Sequence, residues 1–155
     1  MIRFRYLDES EYGEVVHLAV AREQRPFVGS IETILGSKSQ GGHCYAIQNG
    51  DEIVGFFIID TCYPSSHPFA AEHELGLRSF FIDRKQQGKG FGRRATAMLK
   101  PFLRVHYPAH DSVALTVNRR NGVARHCYRA AGFGDTGELY DGPAGPKHIL
   151  RMRLK

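Results

Sequence analysis

The residues best suited to chemistry form one short run, Phe80-Phe81-Ile82-Asp83-Arg84-Lys85-Gln86-Gln87-Gly88-Lys89-Gly90-Phe91-Gly92-Arg93-Arg94. An apolar strand leads into a loop with three alternating glycines, and then into a helix whose Ala95, Met98, Leu99 and Phe102 share one face. Glycines let backbone N–H groups approach an anion closely, and the first turn of a helix carries partial positive charge. The spacing fits a phosphate or pyrophosphate at Gly88–Gly92, with Lys89, Arg93 and Arg94 as countercharge. The same residues also suit a bare strand-to-helix turn with solvated cations. Gly88-x-Gly90-x-Gly92 lacks the gap of a dinucleotide fingerprint, and no Gly-Lys-Ser/Thr follows as in a nucleoside triphosphate loop.

Other candidate groups are scattered. Glu72 and Glu74, two residues apart before the same strand, would share a face if extended, and paired carboxylates raise one pKa and attract a cationic amine. They serve equally well as solvated residues at a strand entrance. His43, His67 and His73 stand near the same region, each also explicable as a structural or exposed residue. Cys44, Cys62 and Cys127 form no Cys-x-x-Cys pair, and the eight histidines show no His-Glu-x-x-His spacing, so neither a disulfide framework nor a metal site is indicated.

These residues need a scaffold. Ile2, Phe4 and Tyr6 alternate with arginines as a short strand, and Asp8 with Glu11 makes a capping box for a helix to about Val20. Arg22 to Val28 is turn-like around Pro26, and a short helix is expected from Gly29 to Gly36. His43–Gln48 and Glu52–Asp60 form a hairpin across Asn49-Gly50, a pair that favours positive φ at both central residues. Thr61 to Ala71 is an exposed connection and a wall of a cleft. Then follow a strand at Leu75–Ile82, a helix from Gly88 to about Tyr107, a strand at Ser112–Val117, and a helix from about Gly122 to Ala131 closed by Gly132. Strands near Phe133–Leu139 and His148–Leu154 end the chain. This order implies an α/β (mixed α+β) fold, one mixed twisted sheet flanked by helices.

Length and composition agree with a single domain spanning 1–155. The 155 residues suffice for a core without staples, and 42% hydrophobic with 24% charged residues is ordinary globular composition. No apolar run is long enough to cross a bilayer and no signal peptide is evident, so a cytoplasmic location is expected. Residues 1–80 hold 6 Lys/Arg against 11 Asp/Glu, whereas residues 81–155 hold 15 against 5. Such a split suits a small polyanion bound beside an acidic pocket, and also suits a nucleic acid. No reader motif or series of stacking aromatics accompanies the basic residues, which argues against nucleic acid.

The run Gln87-Gly88-Lys89-Gly90-Phe91-Gly92 resembles the pyrophosphate loop of the GNAT superfamily, the Gcn5-related N-acetyltransferases. Asn118, Asn121, Ala124, Tyr128 and Gly132-Phe133 are similar to a second signature of that family, and the order of elements agrees along nearly the whole chain. The resemblance implies acetyl-CoA as acyl donor, bound between splayed strands at Leu75–Ile82 and Ser112–Val117. It implies contacts from Phe80, Phe81 and Ile82 to the pantetheine arm, and from Gln87, Gly88, Lys89, Gly90, Phe91, Gly92 and Arg93 to the pyrophosphate. Asn118 and Asn121 would hold the turn and the arm, with Arg125 on a basic rim. A backbone N–H near Phe81 or Ile82 would polarise the thioester carbonyl.

By the same resemblance Tyr128 is the general acid, since a phenol with a pKa of about 10 stays protonated at neutral pH. Glu72 and Glu74 are the candidate bases. A small cationic amine, with Glu32, Glu72, Glu74 and Asp60 at its entrance, is the expected acceptor, attacked directly in a ternary complex. Gln24–Val28 and the last strand are similar to acetyltransferases of the diamine or spermidine type. A protein N-terminus or an antibiotic amine remains open as acceptor, as does a non-catalytic acetyl-CoA-binding module. A homodimer is expected from the family.

Overall fold

The computed structural model describes residues 1–20, 30–38, 40–143 and 145–155. The expected turn at Arg22–Val28, the Gln24–Val28 resemblance and Gly29 lie outside these residues. The elements run β1 (Ile2–Leu7), a 3-10 turn (Glu9–Glu14), α1 (Ile31–Gly36), β2 (Gly42–Asn49), β3 (Glu52–Asp60), β4 (Leu75–Ile82), α2 (Phe91–His106), β5 (Ser112–Asn118), α3 (Gly122–Ala130), β6 (Gly134–Gly142) and β7 (Gly145–Arg153). They build a seven-stranded sheet in the order β1-β2-β3-β4-β5-β7-β6. Every neighbouring pair is antiparallel except β4 and β5.

Two apolar layers sandwich the sheet. On one face α2 lays Phe91, Ala95, Leu99 and Leu103 against Phe57, Ile59, Leu75, Leu77 and Leu115. On the other, Val15, Leu18, Ile31 and Ile34 cover Ala46, Phe56, Ile58 and Phe81. Two local departures from sequence expectation have clear causes. The Asp8–Glu11 capping box forms, but it starts only six residues of 3-10 helix, because Gly13 and the β-branched Val15 and Val16 weaken further helix. The β2–β3 hairpin closes over Gly50-Asp51, with Asn49 still paired to Glu52. Gly50 has φ 63° while Asn49 and Asp51 do not adopt positive φ, the pattern of a II′ turn with glycine first.

The β4 strand is bulged. Phe56 pairs with Phe81 and Ile58 with Arg78, so β4 has one residue more than β3 across this stretch. Ser79 absorbs it with φ 54°. The bulge reverses the side-chain phase: Leu75 and Leu77 share a face with Phe80 and Ile82, while Phe81 turns into the opposite layer. Beyond the bulge β4 and β5 part company. They pair only at Leu75–Val113 and Gly76–Ala114, leaving their facing edges open towards the α2 end.

Candidate functional site

Two cavities meet at the open edges of β4 and β5, and Phe80, Ala124 and Tyr128 line both. The second cavity, of about 310 Å³, lies along Phe80–Ile82, Gln86–Gly88, Gly90–Arg93 and the α3 residues Val123, Ala124 and Cys127. Its floor is the start of α2. Gly90, the N-cap, has φ 82° and Gly88 has φ 80°, a left-handed geometry that costs other residues about 1–2 kcal/mol. First-turn amides of a helix have no intrahelical acceptor, so Phe91, Gly92 and Arg93 offer N–H groups to the cavity. Gln87 Nε2 donates to the Ile82 carbonyl at 3.1 Å and pins the loop to the strand end.

An anion at this loop and an amide-bearing arm along the unpaired strand edges would complete the missing hydrogen bonds. Coenzyme A has both parts, and these residues fit it. Of the expected contacts, Lys89, Arg94, Arg125, Asn118 and Asn121 do not line this cavity. Lys89 is exposed and donates to Gln86 Oε1 at 2.9 Å. Arg125 pairs with Asp135 at the β6 end of α3. Phe81 borders the second cavity, yet its ring is buried in the opposite layer.

The first cavity, also about 310 Å³, lies between α1, the segment after β3, the bulge of β4, β5 and β7. Tyr128 stands at its junction with the second, its ring edge-on to Phe80 at 6.0 Å and to Phe133 at 5.8 Å. Its hydroxyl makes no hydrogen bond to any described residue. Burial pushes its phenol well above the ordinary value, helped slightly by Cys127 beside it. Asn118 and Asn121 also line this cavity. Asn118 Oδ1 accepts from Arg120 N at 2.9 Å, and Asn121 Oδ1 accepts from Ala124 N at 3.4 Å, shaping the turn that starts α3.

Glu32, Glu72 and Glu74 do not gather here. Glu32 is exposed on α1, while Thr33 and Ile34 of the same helix and Ser37 just after it reach the cavity. The Glu72 side chain is 89% exposed and lies 3.5 Å from His73. Glu74 is fully buried at the closed end of the cleft. Arg151 of β7 grips it with Nε at 2.6 Å and Nη2 at 3.0 Å, Ser112 Oγ donates at 2.7 Å, and the Ala71 amide donates at 3.1 Å. Burial alone would raise its carboxyl, but these partners outweigh it and hold the group below the usual range. A carboxylate so engaged is a poor base; it ties β4, β5 and β7 together where the strands still touch.

The cavity draws instead on residues from distant segments. His67 stacks on Tyr63 with centroids 3.9 Å apart, and its Nδ1 meets the Tyr63 carbonyl at 3.3 Å and Ser66 Oγ at 2.9 Å. In the tautomer that donates Nδ1–H to that carbonyl, the Nε2 lone pair is available. Burial lowers the His67 pKa, only partly opposed by that carbonyl. Arg78 and Lys147 line the same space. His43, by contrast, joins a chain of hydroxyls through Tyr107 and Tyr45, at 2.7 Å each, and lines neither cavity.

Residues 30–133 match the model of the Acetyltransferase (GNAT) family. The chain belongs to this family. It is 35% identical over 113 residues to the uncharacterized N-acetyltransferase YbbJ of Bacillus subtilis (strain 168), a match covering 70% of this chain and 68% of that protein. Its fold is similar to aminoglycoside acetyltransferase AAC(6')-Ib in complex with coenzyme A, at a TM-score of 0.78 and 17% identity over 99% of this chain and 95% of that one. It is also similar to spermidine N-acetyltransferase from Vibrio cholerae in complex with CoA and spermine, at a TM-score of 0.72 and 15% identity over 99% and 95%. This GNAT protein is an acetyl-CoA-dependent N-acetyltransferase, with acetyl-CoA as its acyl-donor cosubstrate. Among the described residues, no helix is long and apolar enough to cross a membrane.

Proposed function

We propose that this GNAT protein transfers acetyl directly to a primary amine seated in the first cavity, in a ternary complex, with Tyr128 as general acid. The supporting observation is the position of Tyr128 on the shared wall of the two cavities, its hydroxyl not engaged by any described residue. Acetyl-CoA supplies an activated thioester when bound. Phe91, Gly92 and Arg93 would hold the pyrophosphate by their amides, while the open edge of β4 from Phe80 to Ile82 orients the arm and a backbone N–H polarises the carbonyl.

An alkyl amine has an ordinary pKa near 10.4, so at neutral pH fewer than about one molecule in a thousand is neutral in water, and a proton acceptor is needed. His67 takes that role in place of Glu72 and Glu74. Its Nε2 lone pair lies on a ring lining the acceptor cavity, and burial keeps it neutral near pH 7. Tyr128 donates to the departing sulfur. The expected small cationic acceptor draws no support from Glu32, Glu72 or Glu74, none of which lines the cavity.

The test is incubation with acetyl-CoA and a panel of primary amines, small molecules and peptide N-termini together, following thiol release and product mass. Amine-dependent thiol release with a product one acetyl heavier is expected. Coenzyme binding without product from any amine would refute transfer and leave a binding module.

A further inference from the structure

We propose that the amine acceptor carries an oxyanion, a carboxylate or phosphate-type group, held in the first cavity between Lys147 and Arg78. This rests on the transfer reading above and adds the chemical class of the acceptor to it. The cavity takes basic side chains from four segments: Lys38 after α1, His67, Arg78 at the β4 bulge and Lys147 on β7. Among the described residues lining it there is no aspartate or glutamate. Asp60, buried behind Arg78, accepts one of its N–H groups at 3.3 Å, which leaves the rest of the guanidinium fork for a ligand.

Lys147 is the residue that asks for a counter-ion. It sits beside Asn118 in the β5–β7 register, at the mouth of the splayed strands. It is half-buried and makes no ion pair with any described residue. Burial, and then the like charge of Arg78, push its ammonium below the ordinary value. A half-buried cation without a partner loses part of its hydration, and an oxyanion beside it offsets that loss. The distal ammonium of a diamine would meet the opposite field, repelled by Lys147 and by whatever charge of Arg78 is left unbalanced by Asp60. Leu77, Leu115 and Val117 line the rest of the cavity as an apolar floor, which suits a short carbon chain between the amine and its oxyanion.

The experiment uses a matched series of primary amines of one chain length ending in a carboxylate, a phosphonate, a hydroxyl or a second amine. Each is measured for kcat/KM with acetyl-CoA, and for Kd by calorimetry on the protein saturated with coenzyme A. The oxyanion compounds should bind about 10- to 100-fold better than the alcohol, the range for a hydrogen bond to a charged group. The diamine should rank last. The carboxylate and phosphonate arms separate an amino acid from a phosphorylated amine, and preference for either supports the proposal. Lys147→Met should narrow the gap between oxyanion and alcohol at least tenfold, and Lys147→Glu should move the diamine ahead of the carboxylate. Wild-type preference for the diamine or the alcohol would overturn the proposal while leaving acetyl transfer intact. An oxyanion preference undiminished in a folded Lys147→Met protein would overturn the role given to that residue. Bound amine without product from any member would refute the transfer reading itself.

Discussion

Replacing Tyr128 by phenylalanine tests the proposed acid with little structural disturbance. The ring contacts to Phe80 at 6.0 Å and Phe133 at 5.8 Å do not involve the hydroxyl, which also makes no hydrogen bond to the described residues. Stability should therefore change by no more than about 0.5 kcal/mol, and coenzyme affinity should stay within about twofold. Proton donation by a positioned side chain contributes about 10²–10⁴-fold, so kcat should fall by at least about a hundredfold. The pH dependence distinguishes an acid from a base. Burial raises the Tyr128 pKa above its ordinary value, so the phenol stays protonated up to pH 10 at least, and the deficit should be nearly constant between pH 6 and about 9.5. A tyrosine acting as an ionised base would instead give a deficit that grows with pH. Steady-state kinetics across that range, with calorimetric coenzyme binding and thermal melting of both proteins, decides the matter. A kcat within twofold of wild type, or a loss found only in coenzyme affinity, would reject the assignment.

Three further predictions follow from the geometry. Glu74→Gln leaves Arg151 facing a neutral amide. Breaking a buried pair costs about 3–5 kcal/mol, reduced to about 2–3 here because a third of the Arg151 side chain reaches solvent, and melting should show a Tm drop of about 5–10 °C. The folded pKa of Glu74 lies below the unfolded value of about 4.3. Its contribution is thus present above that pH and lost as pH falls through the folded pKa, so the two proteins should converge in strong acid. His67→Gln should lower kcat by about a hundredfold or more and abolish an acid limb lying below about pH 6.5; retention of that limb would assign the base elsewhere. Gly76→Ala would set a Cβ 1.9 Å from Cδ1 of the buried Tyr63 ring. The ring must shift, carrying the stacked His67 with it, at a cost of about 1–3 kcal/mol or more, and turnover should fall along with Tm. Wild-type activity and stability in this variant would contradict the packing.

The coenzyme side of the site was largely legible from sequence because it is local. A strand, three glycines and a helix start are contiguous, so a loop suited to a pyrophosphate needs no distant partner to be recognised. Tyr128 and the asparagines that shape its helix are likewise close together in the chain. The acceptor side was not legible in this way. Glu72 and Glu74 look equivalent as letters, yet one points to solvent and the other is clamped by Arg151, 77 residues further on. His67, Arg78 and Lys147 have no mutual spacing that signals a site.

Residue order alone therefore determined the α/β alternation and the glycine loop, and it carried no metal-ligand spacing. Tertiary structure decided which charges line the first cavity. The extra residue at Ser79 reverses the phase of β4 and turns Phe80, rather than Phe81, towards the cavity, and the early parting of β4 from β5 opens the space that Lys147 reaches from the last strand. A one-residue bulge and a long-range strand register are set by packing across the whole sheet, where a single step moves every side chain to the other face.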